Sequence, residues 1–143
     1  MISNPRYGWC EFKLGSFVGT PSYLTDVPVD ILVAFVNLHR YGSGVVFFDE
    51  EGTEFTLVVN RNSLFIIEEK EQPVLHDFSE VDIGDLEKEL VEDIERDLDE
   101  WAAFLTQYES REIKAHRDEI TDLLNSLKSI IQVREKNEVR TKE

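Results

Sequence analysis

Cysteine is nearly absent. Cys10 stands alone in 143 residues, so no internal disulfide can form and a disulfide-built scaffold is excluded. A reducing, cytoplasmic setting is expected. Long apolar runs are missing too: residues 27–38, the most apolar stretch, are interrupted by Pro28, Asp30 and Asn37 and are too short to cross a bilayer. The opening MISNPRYGWCEF carries no apolar run behind a basic start, so no signal peptide is read and a soluble chain is expected. Basic residues are scarce, with 15 Lys and Arg against 30 Asp and Glu and a formal net charge of −15. The imbalance lies in residues 1–109, because residues 110–143 hold 8 basic and 7 acidic side chains. Such a surface repels phosphate backbones and anionic headgroups, so neither nucleic acid nor membrane is expected as a direct partner.

What is present is enough apolar mass, 41% of the chain, for one core in one domain. The expected class is α+β: an N-terminal hairpin, one helix packed on an antiparallel meander, and two C-terminal amphipathic helices. Residues 7–14, YGWCEFKL, alternate as a strand, Gly15-Ser16 offers a turn, and Phe17-Val18 a short return. A helix follows, capped by Thr25 or Asp26, with Pro28 in its first turn and Gly42 or Gly44 past its end. Ile31, Leu32, Phe35, Val36 and His39 form its apolar side. Three β-branched and aromatic runs, 44–50, 53–59 and 63–69, are joined by short turns and read as the meander. Residues 72–78, QPVLHDF, add an edge strand, Pro73 confining them to an edge.

The clearest helix is expected from Asp85 to Gln107. Leu86, Leu90, Val91, Ile94, Leu98, Trp101, Ala102 and Leu105 share its core face. A break at residues 108–110 precedes a second helix from Arg111 to Val133, striped by Ile113, Ile120, Leu123, Leu124, Leu127, Ile130 and Ile131. One domain over 1–133 and a frayed tail over 134–143 complete the expected layout.

Catalytic signatures are lacking. His39, His76 and His116 are scattered without metal spacing, and His116, at the edge of an apolar stripe, reads as a hydrogen-bonded core or seam residue. Asp49, Glu50, Glu51 and Glu54 sit at a hairpin tip without the spacing of a calcium loop. There is no GxSxG, no partnered cysteine, and Gly42-Ser43-Gly44 is too short for a phosphate loop. No enzyme, metal or cofactor is expected, although a hydrolase of scattered carboxylates and His76 with a divalent ion stays open as an alternative.

The acidic face of the 82–105 segment therefore draws the functional reading. Lys88–Glu92 and Glu92–Arg96 pairs support a solvated helix, yet nine further acids there, Glu87 and Asp93 among them, lack such a partner in sequence. Like charge gathered beyond capping needs fits a surface that meets a basic partner. The expected contacts are Glu89, Glu92, Asp93, Asp99 and Glu100, joined by Glu50, Glu51 and Glu54 if the hairpin tip lies alongside, with Trp9 and Tyr41 as candidate aromatic anchors. An alternative is an assembly module that forms a homodimer through Ile113, Ile120, Leu124, Leu127 and Ile131.

The segments YGWCEFKLG, SYLTDVP and VVFFDEEGTEFTLVV, with the order hairpin, helix, meander and C-terminal helices over residues 7–107, resemble the immunity proteins of bacterial toxin systems. The resemblance implies a non-catalytic protein that binds one cognate basic toxin, often a nuclease, and covers its active site. It carries over no functional residue.

Overall fold

The computed structural model describes residues 1–105 and 109–142. Its class is α+β, with two antiparallel sheets and a long C-terminal helix. The first sheet has the order β1 (Ile2–Arg6), β2 (Trp9–Leu14), β3 (Phe17–Gly19). Strand β2 has the expected alternation, with Cys10, Phe12 and Leu14 inward. Strand β1 was not legible: Pro5 and a bulge between Ser3 and Arg6, with Asn4 at φ 52°, break the period-2 pattern that would reveal it. Burial, with a lesser push from Glu11, drives the Cys10 thiol up to about 12, which leaves it an inert packing group.

Helix α1 (Val27–Tyr41) has Pro28 in its first turn and ends on Gly42, whose φ of 90° lets its N–H reach the Leu38 carbonyl. It does more than cover a sheet. Ile31, Leu32, Ala34, Phe35, Val36 and Leu38 are all buried, because the helix is packed between strand β4 and the C-terminal helix.

The second sheet is a meander, β4 (Ser43–Asp49), β5 (Glu54–Asn60), β6 (Leu64–Glu69) and β7 (Val74–Asp77), each strand antiparallel to the next. The segment with Pro73 is an edge strand, since a proline there leaves no ladder hydrogen bond unmade. Phe48 and Phe55 stack at 4.7 Å on the inner face, and Phe12 of the first sheet meets each of them at 5.2 Å. This aromatic cluster joins the two sheets, each such contact adding ~1 kcal/mol beyond area burial.

The 82–105 segment is two helices, not one. Asp82 caps α2 (Ile83–Arg96) by accepting from the Asp85 N–H, and the chain breaks at Asp97 before the short α3 (Leu98–Ala102). Asp97, at φ −119° and ψ 36°, leaves the helical region, which re-aims the chain so that Trp101 is fully buried and meets Phe104 edge-on. The expected stretch at 106–107 lies outside the described residues, as does Tyr108 of the expected break.

Helix α4 (Ser110–Lys142) runs well past Val133, where its apolar stripe ends. Residues 134–142 are helical, not a frayed tail. An inward ion pair at Arg134 replaces the missing apolar contact. Ile120, Leu124, Leu127 and Ile131 are buried within the chain, where α4 packs on α1, α2 and α3, and Ile113 is half-buried. The stripe offered as a two-chain seam thus serves an intramolecular interface. Among the described residues no helix is long and apolar enough to cross a membrane.

Candidate protein-binding surface

The acids of α2 and α3 are mostly engaged within the fold. Asp93, expected to face outward, is buried, and its carboxylate accepts from the Met1 ammonium at 2.7 Å and the Ile2 N–H at 3.2 Å. Wheel position misled here because β1 packs against this side of the helix, placing backbone donors where solvent was expected. Glu89 takes the same ammonium at 2.6 Å. Glu87 is fully buried, held by Arg134 Nη1 at 2.8 Å and by His39 Nε2 at 2.5 Å. Glu95 pairs with Lys128, and Asp99 with Arg117 at 2.9 Å.

The two pairs expected along the helix do not form. Lys88 reaches Glu135 on α4 at 2.7 Å, which raises its own pKa and lowers that of Glu135, chiefly through the hydrogen bond between them. Arg96 binds Asp93 at 3.3 Å and Asp97 at 3.4 Å. The near-neutral C-terminal quarter of the sequence carries the explanation: its Arg117, Lys128 and Arg134 pair with Asp99, Glu95 and Glu87 of the acidic segment. Among the described residues, only Glu92 and Glu100 of the five expected helix contacts are exposed without an ion pair.

The hairpin tip behaves differently. Glu50 is engaged, accepting from the Thr53 hydroxyl of its own loop at 3.1 Å and from the Thr20 N–H just past β3 at 2.8 Å. Glu51, exposed, sits at φ 57° and donates its N–H to Asp49 Oδ1 at 2.7 Å, and Gly52 completes the turn. Glu54 is half-buried, directly opposite Asp49 on one side and Glu69 on the other. Three carboxylates thus line one end of a sheet face in register. Directly opposed like charges repel, and no described cation makes an ion pair with any of the three. Glu69 was not singled out from sequence, since only strand register places it beside Glu54. Among the described residues no group of three His, Cys, Asp or Glu is arranged to hold a metal ion. The expected aromatic anchors Trp9 and Tyr41 are 39% and 76% exposed, on β2 and at the end of α1.

The histidines are engaged. His76 Nε2 donates to Glu68 at 2.5 Å, and that hydrogen bond, ahead of the Lys70 charge, holds the Glu68 carboxyl below its usual range. His116 is buried between helices, with Nδ1 on the Ala102 carbonyl at 2.8 Å and Nε2 on Asp26 at 2.8 Å. Both partners accept, so this setting favours the doubly protonated ring. Burial pushes His116 down, but the Asp26 carboxylate and the Ala102 carbonyl outweigh it, and its pKa is raised. Asp26 gives its side chain to this ring, and that is why α1 lacks a side-chain cap. Asp30, one turn on, is raised to about 6 by burial and by the Asp26 and Glu119 charges.

Both shifts have the same sign of consequence. A pKa raised in the folded state contributes stability below the unfolded value and loses it as pH climbs through the folded one. Folding is therefore expected to weaken from about pH 4 to 6 as Asp30 ionises, and again as His116 deprotonates. Asp30→Asn is expected to raise stability near neutral pH by ~1 kcal/mol, a figure reduced for solvent screening at this half-buried site, with little gain near pH 4. Urea unfolding at the two pH values checks this, and a loss of stability at neutral pH would refute it.

Fold and surface define a class: an α+β protein with one open, acid-ended sheet face. Comparison with protein-family models, with curated proteins and with solved structures found no match.

Proposed function

We propose that the chain is a non-catalytic acidic binding protein that holds a basic protein partner, acting as an immunity protein does when it covers the active site of a cognate toxin such as a nuclease. The observation that carries this reading is the in-register row Asp49, Glu54 and Glu69, with which no cation makes an ion pair among the described residues. A basic partner relieves the repulsion within that row on binding, and the complementary potentials speed encounter. The overall charge of −15 works in the same direction.

The test is co-expression with any basic domain found encoded beside the gene. The intact chain is expected to rescue growth and to bind that domain in a salt-sensitive way. The variant Glu54→Lys/Glu69→Lys should weaken binding at least ~10-fold by slowing association. Glu92→Lys/Glu100→Lys, on the helix side, should change it by less than ~2-fold. A chain that binds no such domain, or one weakened only by the helix-side pair, would defeat the proposal.

A further inference from the structure

The strands of the meander are apolar on both faces, although only one face is covered. Strand register sets the outward rows: Val45, Val58 and Phe65 stand side by side, with Asp77, which accepts from Ser79, at the β7 edge of their row, and Phe47, Thr56, Ile67 and Leu75 stand side by side in another. Helix α1 and, through Phe12 and Phe17, the first sheet pack on the opposite face. Val45 is 62% exposed, Phe47 41% and Leu75 63%. An antiparallel sheet with one face in water normally places polar side chains there, and near-continuous apolar strands belong to sheets buried on both sides. By its own composition, the outer face is built to be covered.

From this we infer that the outer face of β4–β7 is the docking platform for the basic partner, whose contact surface has an apolar centre and Lys or Arg along one end only. The inference rests on the acidic-binder reading and adds where the partner sits and how it is recognised. The row Asp49, Glu54, Glu69 borders the apolar rows at the hairpin end, so charge fixes the orientation while Phe47 and its neighbours supply buried area. Covering the face with a second copy instead would bring two chains of charge −15 together, Lys70 beside the acid row being already paired with Glu68.

The probe is a synthetic peptide with three lysines at one end and Leu-Phe-Leu-Val at the other, titrated into the isotope-labelled full chain and followed by amide chemical shifts. Shifts are expected on β4, β5 and β6, with affinity at least ~10-fold above that of trilysine or of the same peptide ending in glutamates. Val45→Lys, a change at an exposed position, should lose that affinity ~10-fold with an unchanged circular dichroism spectrum. Shifts on α2 and α4, equal binding of trilysine, or no binding of the two-part peptide each overturn the platform while leaving co-expression rescue intact. Concentration-dependent dimerisation abolished by Val45→Lys would also overturn it, by making a second copy the occupant. Loss of rescue by the unmodified chain is the separate result that removes the underlying reading.

Discussion

Gly44→Ala is expected to cost the fold at least ~3 kcal/mol and to leave little folded protein at 37 °C. A Cβ at this position would lie 2.0 Å from the Ala34 carbonyl oxygen, 2.6 Å from its carbon and 2.9 Å from its Cα. All three are backbone atoms in the middle of α1, so no side-chain rotation can make room. Either α1 retreats from the sheet or β4 bends away, and in both cases Val46 and Phe48 lose the packing that buries them. Two controls isolate the contact from general disturbance. Ser43→Ala, next to it but exposed, should change stability by less than ~0.5 kcal/mol, and Gly52→Ala, with open space around its Cβ, should show only the milder strain of its φ of 130°. Urea unfolding of the three variants decides it: equal midpoints for Gly44→Ala and Ser43→Ala would contradict the close approach of helix and strand.

Gly44 also marks how far the sequence could be read. Its position past the helix suggested a cap, and the cap is Gly42; the need for glycine at 44 comes from a helix that crosses the strand, a contact 10 residues distant that no local pattern records. The meander was legible to within about a residue because β-branched runs and short turns are local signals. The same runs hid the exposed face, since apolar residues on both sides of a strand look like a core from either side. Helix amphipathicity was legible, but the break at Asp97 was not, for the core face of a continuous helix and of two helices meeting at an angle carry the same residues. Asp93 failed for another reason. A wheel assigns its polarity to solvent, whereas here β1 and the Met1 ammonium ahead of it bring backbone donors inward to meet the carboxylate. Charge pairing between segments some 47 residues apart, as for Glu87 and Arg134, cannot be inferred from spacing.

Arg134→Ala is the second variant expected to be costly, at ~2–4 kcal/mol, although it lies in the segment whose sequence reads as tail. Glu87 is fully buried on α2, and the guanidinium at 2.8 Å is the charged group from α4 that compensates it. Removing Arg134 leaves a carboxylate in a low-dielectric setting with His39 as its remaining hydrogen-bond partner. The penalty belongs to the orphaned charge more than to the lost attraction, which yields a sharper expectation. Glu87→Met combined with Arg134→Met should be far less harmful than Arg134→Ala alone, because no buried charge is then left unpaired. Ending the chain after Val133 should reproduce the single variant's loss, since it removes the same guanidinium. If the double variant is as unstable as the single one, the ion pair is not what fixes α4 to α2. If the expectation holds, Glu87 and Glu95 of α2 are tied down by α4, whereas no described cation pairs with the in-register acid row on the sheet side, where the apolar face is open.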